Sequence, residues 1–222
     1  MIGQVNKTIL VTGCSSGLGY ELCKQLLNKK YVVIGLSRKI GKAKKFEKNT
    51  NFNFYECDFR ELSNIVQTVK QIKKNSLKIS ILINNASVFS LKKDYETSDQ
   101  EMDNIINTNI NGTIKLTRNM IKVFNISKIF NILSVSSLNG LKNQALYSAS
   151  KHALKGYFES LARENINKKD IINFYPGGID TELWKKIKNN KINPKKFMST
   201  KSVALYIINH INLPKDLFVK EI

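Results

Sequence analysis

Cysteines, arginines, acidic residues and long apolar runs are all scarce in this 222-residue chain, and each shortage closes off a class of protein. The three cysteines, Cys14, Cys23 and Cys57, are odd in number and form no Cys-x-x-Cys pair, so no disulfide framework is expected. His152 and His210 are the only imidazoles, which leaves too few ligands for a structural zinc site. No apolar run approaches the ~18 residues that a membrane span needs. The stretch Met1–Lys7 lacks the apolar core of a secretion signal. A reducing, cytoplasmic setting with no membrane partner is the expectation.

Acids number 17 against 36 lysines and arginines, for a formal charge of +19. Such a balance invites a nucleic-acid reading. Yet Arg38, Arg60, Arg118 and Arg163 are its only arginines, and the lysines scatter over helix faces, as at Lys70, Lys73 and Lys74 or Lys185, Lys186 and Lys188. Without an arginine cluster or interleaved aromatics, the surface reads as solvated and basic, and no nucleic-acid partner is expected.

What is present is an alternation of strand-like and helix-like segments in one domain, residues 1–222. Apolar runs mark strands at Thr8–Thr12, Tyr31–Leu36, Asn53–Cys57, Ile79–Ile83, Ile129–Ser134, Ile171–Tyr175 and Leu217–Lys220. Helical stripes lie between them, such as Leu62, Ile65, Val66, Val69 and Ile72, and Ser98-Asp99-Gln100-Glu101 opens a long helix as a capping box. This order predicts an α/β Rossmann-type fold, doubly wound, with a seven-stranded parallel sheet and helices on both faces. Ligands of such sheets bind beyond the carboxyl ends of the strands. The chemistry-bearing residues gather at those ends: Gly13, Arg38, Asp58, Asn85, Ser134 and Pro176 each follow or end a strand.

The first strand runs into Thr12-Gly13-Cys14-Ser15-Ser16-Gly17-Leu18-Gly19, a glycine turn that opens a helix. Glycines let backbone approach a pyrophosphate, and the helix start offers unpaired N–H groups. Further on, Tyr147 and Lys151 stand four apart, which places phenol and ammonium on one helix face. A neighbouring cation favours phenolate, so the pair predicts a phenol pKa drawn down toward working pH.

With these marks in order, followed by Asp58, Asn84-Asn85-Ala86-Ser87, Asn109 and Pro176-Gly177-Gly178, the chain resembles the short-chain dehydrogenases/reductases from about Thr8 onward. The resemblance implies hydride transfer between a nicotinamide dinucleotide and a small carbonyl or alcohol substrate. Tyr147 would be the general acid/base, Lys151 its partner and a ribose ligand, Ser134 the donor to the substrate oxygen, and Asn109 the holder of a water relay. Cofactor contacts are implied for Gly13, Ser15, Ser16, Gly17, Leu18, Gly19, Asp58, Phe59, Asn85, Ala86, Ser87, Tyr147, Lys151, Pro176, Gly177, Gly178, Ile179 and Thr181. Ser87 stands where the family usually has glycine. At the ribose position Leu36-Ser37-Arg38-Lys39 holds no acid, and Arg38 with Ser37 can accept a 2′-phosphate, so NADP(H) is favoured and NAD(H) remains possible.

The serine has two candidates. Counting thirteen residues back from Tyr147 gives Ser134, while a Ser-Ser-x-x-Gly pattern fits Ser136-Ser137 after a deletion; strand length favours Ser134. Substrate walls are expected from Val88, Phe89, Leu91, Leu141 and Gln144 and from a mobile lid at about 179–198 that carries Trp184 and Phe197. The long helices Asp99–Phe124 and Ala149–Asn167 predict a homodimer or homotetramer. A non-catalytic dinucleotide sensor on the same fold is the alternative.

Overall fold

The computed structural model describes residues 7–75, 78–164, 169–184 and 193–213. In chain order its elements are β1 (Thr8–Thr12), α1 (Gly17–Asn28), β2 (Val32–Ser37), β3 (Phe52–Glu56), α2 (Leu62–Lys74), β4 (Ile79–Asn84), α3 (Asp99–Ile105), α4 (Thr113–Val123), β5 (Lys128–Ile132), α5 (Ala145–Arg163), β6 (Asp170–Phe174), β7 (Ile179–Asp180), β8 (Met198–Ser199) and α6 (Thr200–Asn209). β1 to β6 form one parallel sheet in the order β3-β2-β1-β4-β5-β6. The order reverses between β1 and β4, the switch point at which such sheets bind ligands. The expected seventh strand, Leu217–Lys220, lies outside the described residues, so the sheet has six strands among them.

Alternate strand residues serve opposite faces. Ile9, Val11, Val33, Ile81 and Phe130 pack with Leu22 and Leu26 of α1 and Val203 and Ile207 of α6. Leu10, Ile34, Leu82 and Ile129 pack with Ile65 and Val69 of α2, Leu116 and Met120 of α4, and Leu154 and Phe158 of α5. Both faces of the sheet are therefore covered, which explains why its strands read as continuous apolar runs.

Polar side chains tie the carboxyl ends of the central strands together. Asn84 donates to Asn131 at 2.9 Å, and Asn131 donates to Asn173 at 2.9 Å. This buried amide ladder links β4, β5 and β6 where the site begins.

The capping box is present: Glu101 N–H donates to Ser98 Oγ at 3.3 Å, and Ser98 N–H donates to Glu101 at 3.2 Å. The helix it opens is not uniform, because Ile106–Gly112 is wound as π-helix between α3 and α4. The next long helix starts earlier than expected, at Ala145, so Tyr147 falls in its first turn. The expected end at Asn167 lies outside the described residues.

Candidate active site

The turn after β1 is built by leaving side chains out. Gly13 has φ +71°, and a Cβ there would sit 2.9 Å from Asn85 Nδ2 and 3.0 Å from Ala86 Cα. A Cβ on Gly19 would meet the Gly13 carbonyl at 2.1 Å. Asn85 fills the space beneath, its amide donating to the Thr12 carbonyl at 2.8 Å. Thr12 Oγ1 in turn accepts from Asn85 N–H at 2.9 Å and Ala86 N–H at 2.8 Å. Thr12 thus staples the ends of β1 and β4, a role that the sequence reading did not assign to it.

Ser16 precedes α1 in extended backbone and makes no side-chain cap, and no acid stands in the first turn. The N–H groups of that turn, including that of the core residue Leu18, are left for an anion. From the far side, Ser15 O accepts Lys42 N–H at 2.9 Å. Thr181 also reaches this turn: its Cγ2 lies 3.4 Å from where a Gly17 Cβ would be. A glycine cradle, a donor-rich helix start and a close lid residue together fit a dinucleotide pyrophosphate.

Beyond β2, Arg38 is exposed and contributes to keeping the Asp58 carboxyl below its ordinary range. The main cause there is the Arg60 guanidinium, 2.5 Å from Asp58. The Ser37 hydroxyl is turned inward and donates to the Lys39 carbonyl at 2.7 Å. Phe59 is buried, and its carbonyl would lie 2.5 Å from a Cβ on Gly112.

The phenol of Tyr147 lies near two serines, Ser134 and Ser87, whose hydroxyls act to lower its pKa. Ser134, rather than Ser137, is the serine brought to the phenol. Ser137 is buried elsewhere, and its Oγ has no partner among the described residues. Formal pairing in β5 stops at Ile132, two residues before the expected end. The ladder nevertheless continues through Leu133 N–H to Phe174 O at 2.9 Å and Val135 N–H to Pro176 O at 3.1 Å, so Ser134 still emerges at the sheet edge. Ser87, which stands where the family usually has glycine, brings its side chain near the phenol.

One expectation is overturned. Burial pushes the Tyr147 phenol up to about 12, and the Ser134 and Ser87 hydroxyls only partly offset that. Lys151 does not draw it down. Its ammonium is 5.6 Å from the ring centroid and donates to the Ile132 carbonyl at 3.0 Å. Burial lowers Lys151 itself to about 8. Spacing placed the two groups on one face correctly, but desolvation outweighs their attraction.

Asn109 sits in the π-helical stretch, fully buried, with its amide used up. Oδ1 accepts Val88 N–H at 2.7 Å, and Nδ2 donates to Val88 O at 2.9 Å and Ser150 Oγ at 3.0 Å. Ser150 then donates to the Tyr147 carbonyl at 2.7 Å. The chain Val88–Asn109–Ser150–Tyr147 braces the loop after β4 against the first turn of α5. Sequence could have flagged Ser150, which directly precedes Lys151, but carried no sign of the π winding.

Pro176, Gly177, Gly178 and Ile179 follow β6. The Phe197 ring presses on Gly178, where a Cβ would meet it at 2.7 Å. β7 pairs with β8 in parallel, tying together the two described ends of the expected lid. Residues 185–192 of that segment lie outside the described residues. An ion pair of 2.5 Å between Lys42 and Glu182 joins the segment after β7 to the loop after β2.

This geometry is that of a known class. The family model for short chain dehydrogenases matches residues 7–192, and the chain belongs to that family of oxidoreductases, which act on CH–OH and C=O groups. It is 34% identical over 200 residues to a 3-oxoacyl-(acyl-carrier-protein) reductase of Buchnera aphidicola subsp. Schizaphis graminum, covering 87% of this chain and 81% of that one. It is 30% identical over 185 residues to an NADPH-dependent pterin aldehyde reductase of Arabidopsis thaliana, covering 80% and 76%. The solved structure of ElxO with NADP bound superposes with a TM-score of 0.83 at 28% identity, covering 98% and 96% of the two chains.

Proposed function

We propose that this chain is an NADP(H)-dependent oxidoreductase that interconverts a ketone or aldehyde with its alcohol, with Tyr147 as general acid/base. The observation that carries the reading is the Tyr147 phenol set near Ser134 and Ser87, with the buried Lys151 ammonium 5.6 Å from its ring centroid. Bound at the glycine turn, the dinucleotide would supply or accept the hydride. The protein's part is to position and to move a proton. A phenol raised to about 12 keeps its proton through the neutral range and is set to donate it to a developing alkoxide. Ser134 is placed to give the same oxygen a hydrogen bond as its charge grows. Lys151, whose ammonium donates to the Ile132 carbonyl, would hold the nicotinamide ribose.

NADP(H) is favoured over NAD(H) because Arg38 is exposed at the end of β2, where an acid would otherwise hold a ribose hydroxyl. The similarity to ElxO, solved with NADP, and to the NADPH-dependent plant reductase supports the same choice. Gly13, Ser15, Ser16, Gly17, Leu18 and Gly19 would hold the pyrophosphate, Asp58 and Phe59 the adenine end, and Pro176–Thr181 the nicotinamide end. A homo-oligomer built on α4 and α5, acting in the cytoplasm, completes the proposal.

The test is a panel of carbonyl compounds assayed with NADPH and with NADH. NADPH should be consumed faster, and Arg38→Asp should reverse the preference, each cofactor shifting by roughly tenfold, as for one charge-assisted bond. Tight NADPH binding with no turnover of any carbonyl would favour the non-catalytic sensor instead.

A further inference from the structure

An unbroken run of aromatic rings leads from the phenol to the lid. Phe89 meets Tyr147 edge-on, with centroids 4.8 Å apart at 80°. Trp184 lies 5.4 Å from Phe89, and Phe197 lies 4.9 Å from Trp184. The rings come from three separate segments and belong to neither core cluster. Folding of the sheet therefore does not account for them.

Several of their polar and charged neighbours among the described residues are already engaged. The Trp184 indole N–H donates inward to the Ile179 carbonyl at 2.8 Å, so the ring offers hydrocarbon alone. Lys92 and Lys93, on the Phe89 loop, are paired with Glu101 at 2.5 Å and Glu96 at 3.7 Å. Leu138 and Leu141, on the loop after β5, are exposed apolar side chains. One small cavity, of about 10 Å³, lies against Tyr147 and is lined by Ser90, Lys92, Asp94, Asn143 and Gln144. That is room for about one water. A substrate group seated between Phe89 and Trp184 displaces ring–ring contact and replaces it with its own. A flat apolar group makes good the loss, whereas a carboxylate would surrender its hydration with no free cation from the Phe89 loop to meet it.

We propose that the carbonyl substrate is uncharged and carries an aromatic or conjugated apolar group next to the carbonyl, seated between Phe89 and Trp184. This rests on the carbonyl-oxidoreductase reading and names its substrate class. Four carbonyls separate ring from charge: acetophenone and benzaldehyde against phenylglyoxylate and acetaldehyde, all with NADPH. The two uncharged ring compounds should lead in kcat/KM by tenfold or more. Phe89→Leu and Trp184→Leu should raise their KM by roughly three- to tenfold, the worth of one aromatic pair. The same changes should affect acetaldehyde KM less than that of the ring compounds and leave the NADPH Kd unchanged. A lead by phenylglyoxylate or acetaldehyde, or equal losses on ringed and ringless substrates, would overturn the proposal. The wild-type order decides alone if either variant fails to fold.

Trp184 is the chain's one tryptophan, so its fluorescence reports on the site without turnover. A saturable change with acetophenone and none with phenylglyoxylate supports the seat even if no carbonyl is reduced, in which case only the enzymatic reading fails. No saturable change with acetophenone counts against the seat itself.

Discussion

Beyond β1 the site is made by omitting side chains; beyond β4, β5 and β6 it is made by packing them in. Gly13 and Gly19 leave backbone within reach of backbone, and a single added methyl has nowhere to go. On the other side Asn109 and Ser150 brace the backbone of Tyr147 by hydrogen bonds, and Ser134 and Ser87 lie near its phenol. The contrast separates two tasks. Holding a dinucleotide needs close approach and unpaired N–H groups, which any compact turn of the right winding supplies. Moving a proton needs particular atoms at particular distances. Substitutions on the chemistry side should therefore cost turnover with cofactor binding intact, and those in the turn should do the reverse.

The largest effect is expected at the phenol. Tyr147→Phe should keep ring packing and NADPH affinity but lower kcat by roughly 100- to 10,000-fold, the scale of a lost general acid. A variant that turns over normally would move the proton donor elsewhere and break the division of labour. Next comes the serine. Ser134→Ala should depress kcat and kcat/KM together by roughly ten- to a thousandfold. Ser137→Ala, whose hydroxyl lies away from the phenol, should be mild; steady-state kinetics on both variants decides.

On the turn side, Gly19→Ala sets a Cβ 2.1 Å from the Gly13 carbonyl, so the backbone must open. Weaker NADPH binding, by roughly ten- to a hundredfold, and a destabilisation of about 1–3 kcal/mol are expected from such overpacking. Calorimetric titration and thermal melting measure the two. Unchanged cofactor affinity would mean that the turn is not the phosphate site.

The smallest effect concerns pH. Burial lowers Lys151 from 10.5 to about 8, so the folded chain holds that proton less tightly than the unfolded chain. Below about 8 both states are protonated and the burial cost is carried in full; from there toward 10.5 the folded chain sheds the proton first, so stability rises with pH. Denaturant titrations of wild type and Lys151→Met across that window should differ in slope with this sign. Parallel curves would show the ammonium to be better solvated than its surroundings imply.

Much of the fold was legible because each strand is covered on both faces and so writes itself as an apolar run bounded by turn residues. Thr8–Thr12 agrees to the residue, and the five other strands within the described residues shift by one or two at their ends, where pairing depends on the neighbour rather than on the strand itself. The count from Tyr147 back to Ser134 reaches a serine that the fold brings near the phenol. The amide ladder Asn84–Asn131–Asn173 was not anticipated, since it depends on cross-strand register between residues far apart in the chain.

By itself the sequence determined the alternation of elements, the glycine turn and the helical spacing of Tyr147 and Lys151, because all of these rest on local periodicity and backbone sterics. Only the tertiary structure decided the rest. The π winding that presents Asn109, the Ser87 hydroxyl near the phenol, the β7–β8 pairing and the aromatic run from Tyr147 to Phe197 each join segments that no local rule brings together. The direction of the Tyr147 shift belongs with them. Four residues of spacing fix a neighbour, but burial by the whole fold fixes the dielectric in which the two groups meet, and here burial is the stronger cause.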